Sequence, residues 1–79
     1  MPLFQMNLRR GQELIEDEEP QEFVDLAAAR QDAVQALREL AAHAILDGSS
    51  FEYTSIEITD PNGSKLAVVE ATEAVSALR

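Results

Sequence analysis

Cysteine and tryptophan are both absent from this chain. Neither a disulfide framework nor a thiolate metal site can therefore reinforce it, and no indole anchors a core. Aromatic side chains are few: Phe4, Phe23, Phe51 and Tyr53. Basic residues are scarce as well, six against fifteen acids, leaving a net charge of −9. Such a field repels phosphate backbones, whose affinity for proteins rests on lysine and arginine, and it disfavours anionic membranes for the same reason. Nucleic acid and membrane are thus not expected partners. No run approaches the roughly 18 apolar residues of a membrane span. Met1 to Arg10 lacks the basic-then-apolar order of a secretory signal, and a cytoplasmic setting is expected.

The usual marks of chemistry are missing too. There is no glycine-rich phosphate loop and no GxSxG elbow to activate a serine. His43, the single histidine, projects to a helix flank four residues after Glu39, where an exposed i,i+4 contact accounts for it. Glu16-Asp17-Glu18-Glu19 could draw a hard cation, but successive residues of an extended chain point to alternate sides, and no DxDxDG-type loop is present. A solvated charge run is the expected state. No enzyme activity, cofactor or metal site is expected.

What remains is a length that allows one domain, 1–79, with a thin aliphatic core. Phe4, Met6 and Leu8 alternate with Gln5, Asn7 and Arg9, the period of a strand with one buried face. Arg10-Gly11 can turn, and Gln12 to Asp17 reads as the return strand, centred on Leu14 and Ile15. Pro20 ends it in a loop. Asp25 suits the cap of a helix running from Leu26 to about Leu46, with Gly48 as its stop. At 100° per residue, Leu26, Ala29, Ala33, Leu37, Leu40, Ala41 and Ala44 form one stripe, with Val34 and Ile45 on its shoulder. Arg30 falls inside that stripe; an ion pair with Asp17, Glu18 and Glu19 would hold the acidic loop against the helix.

Ile56 and Ile58 mark the next strand, Asp60-Pro61-Asn62-Gly63 a turn, and Ser64 to Val69 the last strand. Phe51 and Tyr53, of opposite parity, suggest an anchoring loop or a bulge. Ala71 to Leu78 can form a short terminal helix. The order ββαββ predicts an α+β fold: two hairpins in one four-stranded antiparallel sheet, with the long helix on one face. Phe4, Met6, Leu8, Leu14, Ile56, Ile58, Leu66 and Val68 would then face the helix. Ile15, Ala67 and Val69 would lie on the open side among Gln5, Asn7, Glu57 and Thr59, as an apolar patch for self-association.

These residues resemble a family of short uncharacterised proteins from alphaproteobacteria, chiefly rhizobia and their relatives. Its pattern is an aromatic first strand, a DG turn, LI, a D-x-E-G step, a helix with LxxAR, an IEI-like strand, and an acidic turn before an LATV-like strand. The matches are Phe4, Leu8, Gly11, Leu14-Ile15, Asp17-Glu18-Glu19, Leu26, Ala29-Arg30, Ile56-Glu57-Ile58, Asp60, Gly63 and Leu66-Ala67. Arg10 stands in place of the aspartate of the DG turn, Pro20 in place of glycine, and Glu70-Ala71 in place of a Pro-Phe step. The resemblance implies a domain of unknown function and adds no activity. The expected role is a small interaction or accessory module, a homodimer. The alternatives are a cation or small-ligand domain using the acidic loop, and an antitoxin-like partner of a basic protein.

Overall fold

A computed structural model describes residues 2–76 of the chain. In order it contains β1 (Leu3–Arg10), β2 (Glu13–Ile15), β3 (Gln21–Glu22), α1 (Leu26–Asp47), β4 (Ser55–Thr59), β5 (Lys65–Glu70) and α2 (Ala71–Ser76). The strands are antiparallel in the order β2-β1-β4-β5, and β3 also pairs with β1. Both helices pack on one face of this sheet, as the α+β reading requires. The fifth strand, β3, was not anticipated. No helix of the described residues is long and apolar enough to cross a membrane.

Helix α1 begins and ends where its sequence dictates. The Asp25 carboxylate accepts from the Ala28 amide at 2.9 Å, satisfying a first-turn donor that has no intrahelical partner. Gly48 closes the helix at φ +69°, a left-handed conformation that glycine adopts without a Cβ penalty. Ala29, Ala33, Leu37, Ala41 and Ala44 are its buried residues. Four of the five are alanine, so the helix backbone can lie close to the sheet. Ile45, expected on the stripe's shoulder, is instead 78% exposed.

The core is completed by Phe4, Ile56, Ile58, Val69, Ala71 and Ala74. Leu37, Ile58 and Val69 are the largest side chains buried completely. Phe23 tilts against Phe4 with ring centroids 6.1 Å apart. Phe51 and Tyr53 meet edge to face at 5.9 Å and pack on the core from the loop before β4, the anchoring role their parity suggested.

The face assignments of β2 and β5 are reversed from the sequence expectation. A two-residue turn pairs an odd residue with an even one, so Leu8 lies opposite Ile15 and Arg9 opposite Leu14. Ile15 therefore shares the helix side with Leu8. In β5 the cause is a bulge. Thr59 pairs with Lys65, but Ile58 pairs with Ala67 and Ile56 with Val69. The extra residue shifts the register by one, which sends every later side chain to the other face. Val69 is fully buried and Ala67 half-buried on the helix side, whereas Val68 opposes Glu57 on the open side. Ile15, Ala67 and Val69 are not an open-face patch.

Leu37→Ala is expected to lower stability by about 2–5 kcal/mol, a loss of buried methyl groups with partial cavity collapse. Gln35→Ala, at an exposed position, should change it by less than about 0.5 kcal/mol. Urea denaturation of the two variants checks this, and equal midpoint shifts would reject the helical phase described.

Candidate functional site

The open face of the sheet carries polar rows. One runs Asn7, Glu57, Val68 across β1, β4 and β5; another runs Gln5, Thr59, Lys65. Asn7, Ser55, Glu57 and Thr59 are buried although no layer covers them, because their neighbours on adjacent strands close over them. Buried polar groups are costly unless hydrogen-bonded. Asn7, Glu57 and Thr59 each have side-chain partners, and among the described residues no fully buried side-chain nitrogen or oxygen lacks one.

Two clusters do this. In the first, Asn7 Nδ2 donates to Thr59 Oγ1 at 3.1 Å, and the Thr59 hydroxyl donates to Gln5 Oε1 at 3.2 Å. Asn7 Oδ1 accepts from the Asp17 amide at 3.0 Å. Asp17 Oδ2 in turn accepts from the Met6 amide at 3.3 Å, and its Oδ1 from the Glu19 amide at 3.1 Å. These contacts fill a break in the ladder. From Phe4 to Leu8 β1 spans five residues, while the return from Ile15 to Gln21 spans seven. The two extra residues leave the Met6 amide without a strand partner, and the Asp17 carboxylate takes that place.

In the second cluster Glu57 bridges two cations. Arg9 Nε donates to its Oε2, and Lys65 Nζ lies 3.3 Å from its Oε1. The hydrogen bond from Arg9 holds the Glu57 carboxyl below the usual range; burial opposes this, and Lys65 adds to the lowering. A carboxyl held ionised in this way is a poor proton donor at neutral pH. Beside the two clusters lies a shallow concavity of about 350 Å³ lined by Gln5, Asn7, Glu57, Thr59, Asn62 and Lys65.

The sequence-derived site residues are scattered. Arg30 is exposed and pairs with Glu73 of α2 at 3.7 Å, so it does not tie down Asp17, Glu18 and Glu19. Those acids sit on the far edge, beyond β2, and Asp17 has turned inward to serve Met6, Asn7 and Glu19. Glu13, Glu16, Glu18, Glu19 and Glu22 remain exposed along that edge. Arg10 pairs with Glu13 there, and the hydrogen bond it donates to that carboxylate raises the guanidinium pKa. Among the described residues no group of three His, Asp or Glu side chains is placed to hold a metal ion. Alternation already put Lys65 on the open side with Glu57; the bridge was missed because the register that sets Arg9 and Lys65 on either side of Glu57 is not written in any one strand. The alternation of Gln5, Asn7 and Arg9 did signal the polar row.

A family model described as a domain of unknown function (DUF6894) matches residues 3–72. No curated protein and no solved structure matches significantly.

Two outcomes follow from the clusters. Asp17→Ala should cost about 1–3 kcal/mol, the scale of hydrogen bonds to a charged acceptor, whereas Glu18→Ala should cost less than about 0.5 kcal/mol. Glu57 has a folded pKa below its ordinary value of 4.5. Its contribution is therefore complete above that value and lost as pH falls through the lowered folded value. Thermal melting from pH 7 downward should show a steeper acid loss for the wild type than for Glu57→Gln, and parallel curves would exclude the bridge as a source of stability.

Proposed function

We propose, on the premise that the chain belongs to the DUF6894 family of domains of unknown function, that it is a non-catalytic protein-interaction module whose acidic sheet edge receives a basic protein. The observation that carries this reading is where the negative charge remains unbalanced. On the open face Glu57 is matched by Arg9 and Lys65. Among the described residues, the only cation paired with an exposed acid along the edge from Glu13 to Glu22 is Arg10, on Glu13. The field of a −9 chain is thus directed outward from that edge, which favours fast encounter with a positive surface and rejects acidic ones.

An antitoxin-like pairing with a small basic toxin is one form of this reading, by analogy of element order alone. An alphaproteobacterial source and a cytoplasmic setting belong to the same proposal. Cation binding by the acidic loop has weaker support, because both Asp17 carboxylate oxygens are engaged by main-chain amides.

The test uses the tagged full chain and the triple variant Glu16→Gln, Glu18→Gln, Glu19→Gln. Affinity capture from the source cells, with mass spectrometry, should retain a basic protein at about 0.15 M salt and release it near 0.5 M, where screening is stronger. The triple variant should lose it. Retention of the same proteins by the variant, or capture of acidic proteins alone, would reject the reading.

A further inference from the structure

Asparagine occurs at two positions, and the fold places them in opposite settings. Asn7 precedes Leu8 in the middle of β1, is buried, and has both side-chain atoms engaged, by Thr59 and by the Asp17 amide. Asn62 precedes Gly63 in the turn between β4 and β5, and is exposed. Among the described residues no hydrogen bond is made by its carboxamide.

The order Asn-Gly has a chemical consequence. An asparagine Cγ lies within five-membered-ring reach of the next residue's main-chain nitrogen, and glycine, with no Cβ, leaves that approach unobstructed. At Gly63 the main chain has φ +89°, and a Cβ added there would meet no atom within 4 Å. The residue is thus held by the turn's own bonds, and all of them involve Asp60. Asp60 Oδ1 accepts from the Asn62 and Ser64 amides, each at 2.9 Å. The Asp60 carbonyl accepts from the Gly63 amide at 2.9 Å, and the Asp60 amide donates to the Ser64 carbonyl at 3.0 Å. An exposed tip restrained in this way opens locally, without loss of the core.

We propose that Asn62 is a site of spontaneous deamidation in the folded protein, converted through a succinimide to aspartate and isoaspartate. The proposal is independent of the interaction-module reading. When the turn opens, the Gly63 amide leaves the Asp60 carbonyl and gives its proton to base. Its nitrogen attacks Asn62 Cγ; the ring C–N bond forms and the Cγ–Nδ2 bond breaks, releasing ammonia. Water then cleaves the ring. Hydrolysis at Cγ leaves aspartate on an unaltered main chain. Hydrolysis at the main-chain carbonyl leaves isoaspartate, whose main chain is longer by one methylene. One water is consumed and one ammonia lost in either case. The product adds a negative charge to a chain already at −9, in the concavity that Glu57 and Lys65 also line.

The test is incubation of the folded full chain at physiological temperature and pH, with peptide mapping by mass spectrometry over several weeks. Asn62 should convert to separable aspartate and isoaspartate peptides, while Asn7 stays intact. The rate should rise with pH, since the Gly63 nitrogen must lose a proton to attack. Asn62→Gln, which would need a less favoured six-membered ring, should stop the conversion at this position. Asp60→Ala removes two of the turn's bonds and should quicken it severalfold. Leu37→Ala raises the globally unfolded fraction about 30-fold or more, yet should leave the rate within about twofold, because local opening suffices. Low urea concentrations make the same comparison on the wild type if Leu37→Ala does not fold. An intact Asn62, a rate unmoved by Asp60→Ala, or a rate that climbs in proportion to global unfolding overturns the proposal.

Discussion

The rest of the fold depends on how closely α1 can approach the sheet. With four alanines among its five buried residues, the helix presents little side-chain volume, and the layer between helix and sheet is correspondingly thin. Leu37, Ile58 and Val69 fill it together with Phe4 and Ile56. A core this small has no redundancy. Val69 must point inward, so the bulge at Leu66, between Lys65 and Ala67, follows from packing as well as from the turn. Without it Val68 would face α1 in place of Val69, and the row Leu8, Ile56, Val69 would be broken.

The same register sets the chemistry of the opposite face. Once Val69 is inside, Val68 and Glu70 lie outside and Lys65 stands over Thr59, within reach of Glu57. The buried acid therefore acquires its second cation from the irregularity that seats the core. Buried ion pairs often contribute little net stability when compared with apolar substitutes. Their value here is specificity of pairing, because Arg9, Glu57 and Lys65 come from three different strands and meet in only one alignment.

Much of this was legible in the residues. The helix, its Asp25 cap, its Gly48 stop and the Asp60–Gly63 turn all rest on local chemistry that works within four or five residues, and each lies where the sequence places it. Which face a strand presents is a different kind of information. It depends on turn parity and on the count of residues between pairs, so an error of one inverts every side chain. That is why Leu14 and Ile15 exchange sides, and why Ala67 and Val69 belong to the core. The carboxylate of Asp17 was hidden for a related reason: nothing within the acidic run reveals that two residues in excess leave the Met6 amide in need of an acceptor. Arg30 finds Glu73 across 43 positions, a contact that no helical projection contains.

The pairing of β1 with β4 also bears on the order in which the molecule assembles. Both outer ladders join near neighbours in the chain, but the central one joins residues about fifty apart, such as Asn7 and Thr59. Closing so long a loop has an entropic cost that is met before any contact made by it can compensate. The two hairpins and α1 can form from local interactions, whereas the middle of the sheet has to wait until the helix has brought the halves together. Until that moment β1 and β4 each expose a bare edge, and β4 carries alternating isoleucines. In a crowded solution of nascent chains, the interval before the centre closes is when this protein is most open to pairing with the wrong strand.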